Sequence, residues 1–186
     1  MEPRSRGART VEKTSSAPAG SNSDVSCQYV AKWPIIIGQE ADMETAAISA
    51  ALGGRKVLRR SVKKPHDLAV LIREGLPATS VPALAEKLAL SNTTLSRKLG
   101  IPLRTLTRRL SHGSRLTAAE SDRTVRLARV YAGAVEMIGD EQKAAAWLQT
   151  PNRALGGDRP LDQLDTDVGA RAVEDVLGRI AYGVYS

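Results

Sequence analysis

Residues Ser91 to Leu110 read SNTTLSRKLGIPLRTLTRRL. The stretch divides into two short amphipathic halves, with Leu95 and Leu99 in the first and Leu106 and Leu110 in the second. Each leucine pair is spaced i, i+4, which places both members on one face of a helix. Ser91 can accept a bond from the free amides that open the first helix, and Gly100 allows the left-handed turn that closes it. Pro102 suits a helix start, where its missing N–H leaves no bond unmade. Helix, glycine turn, helix at this spacing is the helix-turn-helix pattern.

Charge gives the motif a direction. From Lys87 to Arg115 there is no Asp or Glu, while Lys87, Arg97, Lys98, Arg104, Arg108, Arg109 and Arg115 are all present. Arg104, Thr107 and Arg108 fall on the side of the second helix away from Leu106 and Leu110, and Arg109 adds a further cation. Arginine can fork two bonds onto guanine or clamp a phosphate, and threonine can bond phosphate or touch a thymine methyl. Thr93 and Thr94, followed by Arg97, stand where a helix start can hold a backbone phosphate. These seven residues, Arg109 included, form the candidate DNA-binding set. The competing reading is a solvated basic hairpin with no DNA role.

Around this motif the composition favours helices. The chain has 186 residues, 42% hydrophobic but only 3% aromatic and without Phe. A core of Leu, Val, Ile and Ala suits packed helices better than a β-sandwich. The net charge is +7, yet residues 136–186 carry nine acids against five bases. The basic part fits a polyanion, and the acidic end fits a different partner. The single cysteine, Cys27, excludes an internal disulfide framework and a cysteine-based zinc site. It fits a reducing, cytoplasmic setting. No apolar run reaches the length of a membrane span, and the first residues lack the apolar core of a secretory signal.

In chain order, residues 1–40 are expected to be a disordered basic tail, rich in Ser, Gly, Pro and Ala, with Arg4, Arg6, Arg9 and Lys13 available for diffuse attraction to DNA. From Met43 a helix is predicted, with Met43, Ala46, Ala47, Ala50 and Ala51 as its inner face, ending at Gly53-Gly54. A basic connector, Arg55 to Lys64, reads either as a second phosphate-facing patch or as a plain loop. Pro65 opens a helix that packs through Leu68, Leu71 and Ile72 and ends at Gly75. The helix after Pro82 packs through Leu84, Ala85 and Leu88. Thr117 and Glu120 form a capping box, and the helix that follows turns Leu127, Val130, Ala134, Val135 and Ile138 inward before Gly139. Asp140 caps a helix with Ala144, Trp147 and Leu148 inside. Leu161 and Leu164 mark a short turn, and Val168, Ala172, Val173, Val176, Leu177 and Ile180 make the apolar stripe of a last helix that Gly183 ends.

Catalytic groups are sparse. His66 falls at a helix start and His112 in a loop after a helix, with no ligand cluster near either. Gly53-Gly54 and Gly156-Gly157 follow no strand and read as turns, and Asp162, Asp165 and Asp167 read as caps. The expectation is an all-α binding protein rather than an enzyme, with no cofactor, metal, small-molecule substrate or membrane.

Three runs of residues carry a resemblance to a known family. They are Leu52-Gly53-Gly54 through Gly75-Leu76-Pro77, the helix-turn-helix, and Leu116-Thr117-Ala118-Ala119-Glu120-Ser121-Asp122-Arg123. With Trp147 to Asn152, Ala154 to Gly157, Leu164-Asp165-Thr166, Gly169-Ala170-Arg171 and Gly178 to Tyr185, they resemble the Xre-type antitoxins of RES–Xre toxin–antitoxin modules. The likeness covers roughly residues 43–186, and its C-terminal string is the specific part. It implies an Xre/Cro-like helix-turn-helix domain over 41–116 and a helical toxin-binding domain over 117–186. It also implies repression of the protein's own operon, as a homodimer on operator DNA, and neutralisation of a RES-domain toxin that consumes NAD. The toxin-facing residues it points to are Arg171, Arg179, Tyr182, Gly183, Val184 and Tyr185, the tyrosines alternatively folding back onto the lobe. Ser96 stands where the family's first helix carries alanine, and Arg109 stands near a position that is usually apolar. A stand-alone repressor whose C-terminal lobe only dimerises is the other reading.

Overall fold

A computed structural model describes residues 41–181. The expected N-terminal tail, with Cys27, and the end from Tyr182 to Tyr185 lie outside the described residues. Among the described residues ten α-helices follow one another: α1 (residues 41–51), α2 (Gly54–Leu58), α3 (Pro65–Glu74), α4 (Ser80–Lys87), α5 (Asn92–Lys98), α6 (Leu103–His112), α7 (Ala118–Ile138), α8 (Glu141–Gln149), α9 (Pro160–Gln163) and α10 (Asp167–Ala181), with one 3-10 turn at Arg153–Leu155. Among the described residues the only strand-like pairing is an isolated bridge between Pro77 and Arg115. The architecture is all-α.

Helix α7 organises the rest. At about 1.5 Å per residue its 21 residues span roughly 30 Å. It packs against α3 on the N-terminal side and against α8 and α10 on the other. Its start is fixed as the sequence predicts: Thr117 Oγ1 accepts the Glu120 N–H, and Glu120 Oε2 accepts the Thr117 N–H at 2.7 Å. Polar residues enter its buried face with their bonds made. Ser121 Oγ donates to Thr117 O at 2.7 Å and accepts the Leu76 N–H at 2.9 Å, while Thr124 Oγ1 donates to Glu120 O. A buried hydroxyl so satisfied avoids the cost of desolvation.

Three sequence expectations are corrected. In α1, Met43, Ala46, Ala47 and Ala50 face solvent, Met43 with 70% of its surface exposed. The buried face is Thr45, Ile48, Ser49 and Ala51, continuing into Leu52. Thr45 tolerates burial because its hydroxyl donates to Ala41 O at 2.7 Å. The basic connector is partly structured, with α2 in it and Leu58 and Val62 buried as anchors. In α10 the stripe is rotated: Val168 and Ala172 are exposed, whereas Ala170, Val173, Val176 and Leu177 are buried.

Candidate nucleic-acid interface and carboxy-terminal surface

The helix-turn-helix is α5, a turn, and α6. Ser91 Oγ accepts the Thr94 N–H at 3.1 Å and caps α5. At the other end Gly100, with φ +69°, donates to Arg97 O, and Ile101 donates to Ser96 O at 2.8 Å. Leu95, Leu99, Ile101 and Leu106 are buried, and Leu110 packs partly against the same core. Ser96 is buried as well, and its hydroxyl donates to Thr93 O. Serine thus fills this buried place with its polar atom satisfied. The turn is also tied to α7: Arg123 donates to Leu99 O at 3.1 Å.

Pro102, Leu103, Arg104, Thr107 and Arg108 leave α6 exposed, and Arg104, Thr107 and Arg108 lie on one face at spacings of three and four. Thr107 Oγ1 donates to Leu103 O, which leaves its lone pairs and methyl outward. On α5, Thr93 and Arg97 are exposed, while Thr94 is half-buried with its hydroxyl 2.9 Å from that of Ser91. Arg109 stands apart from this face. Its side chain is only 18% exposed and donates to Glu120 Oε2 at 2.5 Å, tying the end of α6 to the capping box of α7. Burial pushes the Glu120 carboxyl up, but the bonds from the Thr117 N–H and Arg109 outweigh it and hold the group below its ordinary value. His112 belongs to the last turn of α6 rather than a loop, with Nδ1 2.8 Å from the Arg108 carbonyl. Sequence reasoning gave no role to Leu103, which is 42% exposed at the start of α6. Its signal was an apolar residue beside Arg104 and four before Thr107.

The carboxy-terminal surface is built from α8 to α10. Asp140 Oδ1 accepts the Lys143 N–H and caps α8, and Thr150 ends it. The following loop is closed by Asn152, which donates its N–H to Asp158 O and accepts the Ala154 N–H on Oδ1. At the entry to α10 a Cβ on Gly169 would lie 1.9 Å from Gln163 O, so only glycine fits between α9 and α10. Arg129 Nε bonds Glu174 at 2.7 Å and holds α10 on α7. Arg171, Asp175 and Arg179 are exposed along α10, with Arg171 in an ion pair to Asp167 at 3.0 Å. The carboxy-terminal part is joined to α5 by the Lys98–Asp162 ion pair and to α4 by the Lys87–Glu141 ion pair and a Gln149 bond to Leu88 O at 2.8 Å. Among the described residues no His, Cys, Asp or Glu group gathers as a metal site, and no helix is long and apolar enough to cross a membrane.

Two family models meet within α7. Residues 67–129 match the antitoxin Xre-like helix-turn-helix domain, and residues 133–183 match the antitoxin Xre/MbcA/ParS C-terminal toxin-binding domain. The chain is 39% identical over 123 residues to an antitoxin Xre of Photorhabdus laumondii, covering 66% of this chain and 82% of the relative. The chain belongs to the Xre antitoxin family. An antitoxin Xre of Yersinia enterocolitica is 37% identical over 116 residues, 62% of this chain and 78% of that one. A Prs ADP-ribosylating antitoxin of Sphingobium sp. is 24% identical over 160 residues, 78% of this chain and 99% of that one. As an Xre antitoxin the chain carries a helix-turn-helix domain and a toxin-binding domain, with α7 contributing to both.

Proposed function

We propose that this antitoxin neutralises a RES-domain, NAD-consuming toxin through residues 117–186 and represses its own operon through the helix-turn-helix of residues 41–116. The observation that carries the toxin half is the match of residues 133–183 to a toxin-binding domain whose last helix exposes Arg171 and Arg179. Arginine and tyrosine are enriched among interface anchors, and Tyr182 and Tyr185 follow in the sequence beside Val184. In this reading the end covers the toxin's NAD cleft, and Arg179 meets groups that otherwise hold substrate phosphate. The name of the Sphingobium relative, an ADP-ribosylating antitoxin, supports an NAD-consuming partner. The antitoxin itself is no enzyme, needs no cofactor and acts in the cytoplasm.

For DNA, Arg104 and Arg108 read base edges beside Thr107, and Thr93, Thr94 and Arg97 hold backbone phosphate. Arg109, engaged by Glu120, braces α6 instead of reaching a base. One such helix reads a half-site, so a homodimer supplies the other. The test is a binding isotherm on a duplex taken from immediately upstream of the reading frame. Arg104→Ala with Arg108→Ala is expected to weaken that duplex by about 1–3 kcal/mol per lost guanine contact and to erase its advantage over a scrambled duplex. An unchanged preference would place the reading surface elsewhere.

A further inference from the structure

The basic connector Arg55 to Lys64 has a consequence for DNA that the helix-turn-helix alone does not supply. Between the start of α4, the end of α6 and the residue after α2 lies a cavity of about 70 Å³, lined by Arg59, Thr79, Arg109, Gly113, Ser114 and Arg115 among others. Its arginines and its Thr79 and Ser114 hydroxyls are donors that suit a phosphate group. No acid lines it. Nearby, Glu120 is taken by Arg109, and Glu74 is shared between Arg60 at 3.1 Å and Arg115 at 3.8 Å. Arg109 and Arg115 line it while keeping carboxylate partners, and Arg115 also donates to Gly75 O at 2.7 Å, so Arg59 is, among the described residues, the lining arginine that no carboxylate holds, and planar guanidinium donors match phosphate oxygens. Thr79 precedes α4 without capping it through its side chain, which leaves that hydroxyl available.

Arg59 itself is placed unusually. Its φ is +56°, in the left-handed region that glycine adopts without strain and arginine does not. Among the described residues it makes no ion pair. The location also fits DNA. Helix α6 has 10 residues, about 15 Å at roughly 1.5 Å each, against a major groove about 12 Å wide. With Arg104 in the groove, the Gly113 end reaches the phosphate wall. The carbonyl end of α6 repels an anion there, and the unpaired charge of Arg59 offsets it.

We infer that this cavity seats one phosphodiester of the DNA backbone at the edge of the groove that α6 enters, with Arg59 as its free cation. The inference rests on α6 being the reading helix, and its test separates the two. Anisotropy titrations over a KCl series would compare the native antitoxin with Arg59→Gly, on the upstream duplex and on a scrambled one. Glycine relieves the positive φ, so the variant should melt no lower than the native protein, and misfolding cannot imitate the result. Loss of one phosphate contact lowers the steepness of log K against log salt by about 0.9, and it should do so equally on both duplexes. An unchanged slope, or a change of preference between duplexes at constant slope, would overturn the inference. Melting with added inorganic phosphate separates the sources of the anion. Stabilisation of the native protein but not of Arg59→Gly, with DNA binding unaltered, would assign the cavity to a free phosphate and overturn the DNA assignment. If the native antitoxin itself fails to prefer the upstream duplex, the reading of α6 fails and not merely the role of Arg59.

Discussion

Two residues of α7 and its cap set local stability in opposite directions. Tyr131 is only 3% exposed, and its hydroxyl has no hydrogen-bond partner among the described residues. Burial, with Glu141 and Asp140 nearby, pushes its pKa up to about 12. A buried unmade bond costs about 1–3 kcal/mol, so Tyr131→Phe should stabilise the fold by about 1 kcal/mol. A urea melt showing clear destabilisation would contradict this. Glu120 works the other way. Its carboxyl is held below its ordinary 4.5 in the folded protein, so the charged form is the one the fold favours. That stabilisation is complete above pH 4.5 and is lost as pH falls through the depressed folded value. Glu120→Gln should therefore cost about 1 kcal/mol at neutral pH, and the gap to the native protein should close in acid. A gap independent of pH would mean that the ionised form of the Glu120 carboxyl contributes nothing.

The elements that sequence made legible are those fixed by local chemistry. Ser91, Thr117 and Asp140 cap the helices they were expected to cap, and Gly100 makes the turn between α5 and α6. Rotations about helix axes were harder to read. Alanine is small enough for either side of α1, and Thr45 and Ser49 look like surface residues until a helix carbonyl takes the threonine hydroxyl. In α10, Ala170 is buried, whereas Val168, expected inside, is 79% exposed. The partner of Arg109 lies in the next helix, and periodicity within α6 contains no sign of it. The close passage at Gly169 yields a prediction. Gly169→Ala forces α10 away from the Gln163 carbonyl and should cost about 1–3 kcal/mol, as overfilled contacts do. Toxin binding should weaken with it, and a melt equal to the native one would show that the entry to α10 yields freely.

At the scale of the molecule, the helix-turn-helix domain and the toxin-binding part share α7 and are joined by Lys87–Glu141, Lys98–Asp162 and the Gln149 bond to Leu88. Exposed ion pairs of this kind contribute only about 0–1 kcal/mol each, so the apolar faces of α7 hold the two parts together. Family membership came from residues spread along both parts, while the charge balance already separated a basic front from an acidic end. The two proposed partner surfaces lie on different helices: Arg104 and Arg108 on α6, Arg171 and Arg179 on α10. Removal of one should leave the other working. The most direct measurement is co-expression of a RES-domain toxin, the proposed partner, with the full antitoxin or with a form lacking residues 179–186, reading cellular NAD and growth. The account predicts that the full chain preserves both and the shortened chain preserves neither, although its affinity for the upstream duplex stays the same. Sustained growth with undiminished NAD in the presence of the shortened chain would contradict it.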